Sequence, residues 1–155
     1  MKQDHFTLSH VQAEAPSTLV LRYVDGSTFR LDLRAVLQKH PSLAKLDDWA
    51  VFKTAQITDH GRTVQWTVNS QLDDNLELAA DNLRARAVEQ AGDFSHEWLW
   101  NWMHKHALTL DQAAQGLGIS RRMLAYYRSG AKPLPLTVAL ACFGWESQHT
   151  AVEKA

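Results

Sequence analysis

From Thr18 to Val24 and again from Ser27 to Leu33, apolar and polar residues alternate on either side of Asp25-Gly26. A period of two belongs to a pleated strand, and Asp-Gly supplies the positive φ angles of a tight turn, so the segment predicts a β-hairpin. An earlier strand is expected over Thr7 to Ala13, and a short helical turn over Ala35 to Gln38. From Pro41 onward Leu43, Leu46, Trp49 and Phe52 recur at helical spacing. Val51 to Thr58 and Thr63 to Val68 flank Asp59-His60-Gly61-Arg62 and predict a second hairpin. Over Asp74 to Gln90 the apolar set Leu76, Leu78, Ala79, Leu83, Ala87 and Val88 predicts a short strand leading into a helix. Residues 1–93 therefore form a small antiparallel β-rich domain with one or two helices.

Beyond this point the period changes to that of a helix. In His96 to Met103, Trp98 and Trp102 share a face that Leu99 and Met103 extend, as a bundle core or a contact with the N-terminal domain. Trp100 falls on the other side, where an exposed indole would mark an interface; burial against the N-terminal domain is the expected outcome. Thr109 can cap a short helix through Asp111, Gln112, Ala113, Ala114 and Gln115, with Asp111 suited to the dipole of its first turn. Small Ala113 and Ala114 let a second helix cross closely, and Gly116 or Gly118 can reverse the chain at positive φ. Leu117 and Ile119 would anchor the turn. Ser120 caps a following helix whose apolar members are Met123, Leu124 and Tyr127, and Gly130 ends it. The predicted fold class is α+β, with residues 94–155 an all-α helix-turn-helix bundle.

The outward residues of that last helix carry the chemistry. Arg121, Arg122 and, one turn on, Tyr126 remain free of the core pattern. An arginine fork matches the O6 and N7 acceptors of guanine and discriminates by roughly 1–3 kcal/mol. Thr109, Ser120, Ser129 and Lys132 lie at helix ends, where hydroxyls and an ammonium meet a sugar-phosphate backbone. A plain helical hairpin with surface arginines could share this spacing. The small pair, the glycine turn, the second cap and the closing Ser129-Gly130 nevertheless agree with one another.

The run Leu108-Thr109, Gln112-Ala113-Ala114, Leu117-Gly118-Ile119-Ser120-Arg121, Leu124, Tyr127, Ser129-Gly130 and Pro135 resembles the phage-repressor and Cro type of helix-turn-helix domain, over about Ser95 to Trp145. The resemblance implies a compact helical bundle that binds double-stranded DNA as a homodimer. It places Arg121, Arg122 and Tyr126 at base-contacting positions and Thr109 at a phosphate-contacting helix start.

The N-terminal half carries a second resemblance, in Tyr23, Asp25-Gly26, Leu31-Asp32-Leu33, Trp49, Phe52, Val64-Gln65-Trp66, Asn75-Leu76-Glu77-Leu78 and Asp81-Asn82-Leu83. Over roughly Val11 to Val88 it is similar to a bacterial α+β domain of unknown function linked to toxin-antitoxin loci, which implies fold and context but no catalytic residues.

Composition narrows the field. The 155 residues carry a net charge of −1, unlike a dedicated nucleic-acid binder. From Ser95 onward, six cations face four anions; the earlier part holds ten against thirteen. The weak positive excess thus falls where the arginines are, and few phosphate contacts per protomer favour a dimer. With no run of about 18 apolar residues and no apolar leader after Met1, neither a membrane partner nor export is expected, and a cytoplasmic location follows. The lone Cys142 is expected to be a small buried residue. Of the histidines, His104 and His106 point to different sides of a helix, and His96 and His104 stand two turns apart, so no metal ion or other cofactor is expected. Without a glycine-rich phosphate loop or nucleophile elbow, and with Asp32, Asp47, Asp48, Asp73 and Asp74 scattered over turns, no enzyme is expected. Two functions stand: a transcriptional regulator whose N-terminal domain dimerises or senses, and, alternatively, an antitoxin-like module whose N-terminal domain binds a toxin partner.

Overall fold

The computed structural model describes residues 4–154, with side chains over 4–149. Strands β1 (Leu8–Glu14), β2 (Thr18–Tyr23) and β3 (Thr28–Asp32) form one antiparallel three-stranded sheet. Its second turn is the expected one: Gly26 takes φ 91°, Tyr23 donates its N–H to the Ser27 carbonyl at 2.9 Å, and the Asp25 carboxylate accepts from the Ser27 amide at 3.0 Å. After α1 (Arg34–Lys39), a 3-10 stretch over Pro41–Asp47 and the short α2 (Trp49–Phe52), strands β4 (Gln56–Thr58), β5 (Thr63–Val68) and β6 (Gln71–Ala79) form a second antiparallel sheet. Helix α3 (Ala80–Gln90) follows directly.

The second expected hairpin gains a third strand, because the nine-residue β6 pairs with β5. The turn between them, Asn69-Ser70, holds φ of 54° and 66° without a glycine, which hides it in the sequence. The strand expected to begin at Val51 begins at Gln56. Upstream, the Asp48 carboxylate accepts from the Ala50 amide at 3.0 Å and caps a helical turn through Phe52.

Both sheets and the helices of this half share one core. Leu19, Leu21, Leu31, Leu33, Leu46, Phe52, Val64, Trp66, Leu76 and Leu83 are fully buried in it. Helix α3 is fastened to the first sheet by polar groups: the buried Tyr23 hydroxyl donates to the Ala80 carbonyl at 2.6 Å, and the Arg84 guanidinium bonds the Asp25 carboxylate at 3.0 Å while lying over the Tyr23 and Phe29 rings. Gly61 sits at φ 88°, where a β-carbon would stand 2.7 Å from the Leu8 carbonyl oxygen; only glycine fits there.

The chain divides into two compact units, Met1–Gln90 and Ala91–Ala155. The second is all-helical: α4 (His96–Lys105), α5 (Leu110–Leu117), α6 (Arg121–Ser129) and α7 (Leu136–Lys154). Its core comprises Leu99, Trp102, Met103, Ala113, Ala114, Leu124 and Cys142, with Trp98, Leu117, Ile119 and Trp145 packed around it. The architecture is α+β, strands preceding helices. The shared face of Trp98, Leu99, Trp102 and Met103 is as the spacing predicts. No helix among the described residues is long and apolar enough to cross a membrane.

Candidate nucleic-acid interface

Helix α5 begins at a capping box. The Thr109 hydroxyl accepts from the Gln112 amide at 3.1 Å, and the Gln112 side chain accepts from the Thr109 amide at 3.0 Å. The helix ends at Gly118, left-handed at φ 74° and ψ 28°, whose N–H reaches the Ala114 and Gln115 carbonyls. Gly116 serves a different purpose: a β-carbon there would lie 2.9 Å from the Trp145 ring, so its absence lets α7 close on α5. Two residues after Gly118 the Ser120 hydroxyl accepts from the Met123 amide at 3.1 Å and starts α6.

This turn is rigid for packing reasons. Leu117 and Ile119 hold both helix ends to the core, while the side chain of Leu124 is fully buried and locks the inner face of α6. Burial of one such leucine contributes roughly 1.5–3 kcal/mol. The outer face is fixed as a consequence, and Arg121 and Arg122 stand exposed on its first turn.

The structure joins most of the outward residues into one cluster. Arg122 Nε donates to the Tyr126 hydroxyl at 3.0 Å, with its guanidinium 5.7 Å from the ring centroid; Lys132 Nζ lies 4.9 Å from the same centroid. The hydrogen bond from Arg122, before any charge effect, holds the Tyr126 phenol below its usual range. The Ser129 hydroxyl donates to the Tyr126 carbonyl at 3.2 Å, and the Lys132 amide reaches that carbonyl at 3.3 Å. Arg122, Tyr126, Ser129 and Lys132 are therefore a single cationic edge.

Arg121 is set apart from that edge. Its Nε lies 3.4 Å from an Asp111 carboxylate oxygen, with both side chains mostly exposed. Such a pair is worth about 0–1 kcal/mol and can open readily. The hydroxyls of Thr109 and Ser120 both accept as caps, which leaves the O–H of each to donate to a phosphate oxygen.

Two features escape the sequence. Asp111 meets Arg121 as well as its helix dipole, because the turn brings the starts of α5 and α6 together. Trp100 is 54% exposed instead of buried, and the Arg128 guanidinium covers its ring at 5.0 Å. That pairing depends on the crossing of α4 and α6, for which no local spacing gives a signal. His106, at the end of α4, bonds the Glu146 carboxylate at 2.9 Å. Cys142 is fully buried, which pushes its thiol up to about 12 and leaves it inert, as its apolar setting suggests.

No protein-family model matches the chain, and no curated protein does. The crystal structure of the Putative DNA Binding Protein NE0471 from Nitrosomonas europaea is similar: 40% of residues are identical, with a TM-score of 0.81, over 90% of this chain and 86% of that one.

Proposed function

From this chain's membership of the same family as the Nitrosomonas europaea protein, we propose that it binds double-stranded DNA through the outer face of α6. It acts as a sequence-specific transcriptional regulator of the repressor and Cro helix-turn-helix type. The observation that carries the proposal is the joined edge of Arg122, Tyr126 and Lys132, beside Arg121, on a helix whose inner face Leu124 locks.

The geometry supports the following roles. Arg122 is held over Tyr126 before any ligand arrives, so its guanidinium enters a major groove with less ordering cost than a free side chain. Arg121 exchanges its weak Asp111 contact for a base edge or phosphate. Lys132 and Ser129, at the far end of α6, and Thr109 and Ser120, at the helix starts, meet the sugar-phosphate backbone. Arg128, lying over the Trp100 ring, adds a further cation to α6. The N-terminal unit dimerises or senses. The alternative role, docking a toxin-like protein, has in its favour an open cleft of about 980 Å³ on that unit, between Phe6, His60, Arg62 and Asp81.

Fluorescence anisotropy with DNA from the protein's own promoter and with scrambled DNA, at several salt concentrations, tests the proposal. A specific regulator binds the promoter at least about 10³-fold more tightly, with affinity falling steeply as salt rises. Equal affinity for both DNAs at every salt concentration argues against sequence reading, and no binding to either argues against a DNA partner.

A further inference from the structure

Helix α7 presents an apolar stripe that the described residues of its own unit leave largely exposed, although the Phe94 and Trp98 rings lie 5.9 and 5.6 Å from that of Phe143. Leu136, Leu140 and Phe143, at the helical spacing of four and three, are 62%, 56% and 44% exposed. Next to them Gly144 is exposed, and a β-carbon added to it would meet nothing within 4 Å. A glycine inside an exposed helix costs roughly 0.5–1 kcal/mol relative to alanine. The α7 of the isolated chain gains nothing from Gly144, since there is room for a side chain.

The order of these residues identifies the occupant. Leu136, Leu140 and Gly144 are spaced four by four, so the most exposed leucine and the glycine lie equally far, about 6 Å, on either side of Leu140 along the helix. If a second α7 is laid antiparallel with Leu140 at the crossing, each Leu136 falls on the other copy's Gly144. A knob meets a notch twice, as a two-fold contact requires. Charge agrees. From Leu134 to Trp145 there is no charged residue, and Glu146 is turned away onto Lys105 and His106. In a two-fold contact a charge on the stripe would face its own like, whereas a neutral stripe meets itself without repulsion.

We infer that the Leu136, Leu140, Phe143 and Gly144 face of α7 is the surface on which two copies of this chain pair, antiparallel and centred on Leu140. The area sets the strength. A patch of this kind is a few hundred Å², below the roughly 800 Å² per partner of a standard interface, which suits a weak, reversible pair. Only its use on DNA rests on the function proposed above: two linked α6 helices would read half-sites about 34 Å apart.

Sedimentation equilibrium of the full chain without DNA, from about 1 μM to several hundred micromolar, decides the matter. The wild type is expected to pass from monomer to dimer. Leu140→Glu places like charges at the crossing and is expected to abolish pairing. Gly144→Gln fills the notch at an exposed site where glutamine favours the helix, so it should weaken pairing by about tenfold or more with the circular dichroism and thermal midpoint kept or raised. A wild type monomeric throughout overturns the inference, as does a dimer that Gly144→Gln leaves within about twofold of its wild-type affinity. Because no DNA is present, this failure is separate from a failure of promoter preference.

Discussion

Trp66→Ala is expected to lower the stability of the N-terminal unit by about 3–5 kcal/mol, the cost of emptying an aromatic site in a packed core. Trp66 is fully buried on β5; its indole N–H donates to the Phe52 carbonyl at 3.0 Å, and the two rings lie 6.1 Å apart. Truncation leaves a cavity between the second sheet and α2 and removes the donor that satisfies that carbonyl. Small domains have about 5–15 kcal/mol in total, so this one substitution removes a large share. Near 4–8 °C per kcal/mol, the midpoint of this unit should fall by roughly 15–30 °C. The helical unit has its own core around Leu99, Trp102 and Leu124, so its transition should stay in place. Differential scanning calorimetry separates the two outcomes: one transition moving past a stationary one is expected, and a common shift of all unfolding contradicts independent cores.

Replacing Arg121 and Arg122 together with alanine is expected to weaken binding to the preferred DNA by about 30-fold to 10⁴-fold, since each fork discriminates by roughly 1–3 kcal/mol. Both side chains are exposed, and alanine suits a helix, so folding should survive. Binding to scrambled DNA should fall much less, because Arg128 in the last turn of α6 and Lys132 just after it keep their charge. Arg122→Lys sharpens the result. It keeps the cation but loses the planar fork and the Nε donor to Tyr126, so specificity should fall while salt dependence is preserved. Anisotropy titrations of the three proteins on promoter and scrambled DNA check this. Equal promoter affinity for wild type and double mutant would remove α6 from the account.

Much of this architecture is legible in the chain because it is local. Alternation around Asp25-Gly26 gives the first hairpin, and the caps Thr109 and Ser120 with Gly118 and Gly130 give the bounds of α5 and α6. These signals act within a few residues, where propensity and hydrogen bonding decide. What is lost depends on long-range packing or on residues outside the usual preferences. The Asn69-Ser70 turn takes left-handed angles without glycine, so β6 is read as short and its pairing with β5 is missed. The Asp48 cap keeps Val51 and Phe52 in α2, so the strand expected from Val51 begins at Gln56. Trp100 is covered by Arg128, and no pattern along one helix reveals a partner on another. At the candidate interface the outward identity of Arg121, Arg122 and Tyr126 follows from period alone. Their division into a joined cluster and an Asp111-held arginine does not, since it arises from side-chain geometry.

The most direct test is an amide-shift map of the ¹⁵N-labelled full chain on adding promoter duplex. The account predicts that the largest shifts lie on Thr109, on Ser120 to Tyr126 and on Ser129 to Lys132, around the edge built by Arg122, Tyr126 and Lys132. Shifts confined to the N-terminal unit, with these amides unmoved while DNA is bound, would contradict it.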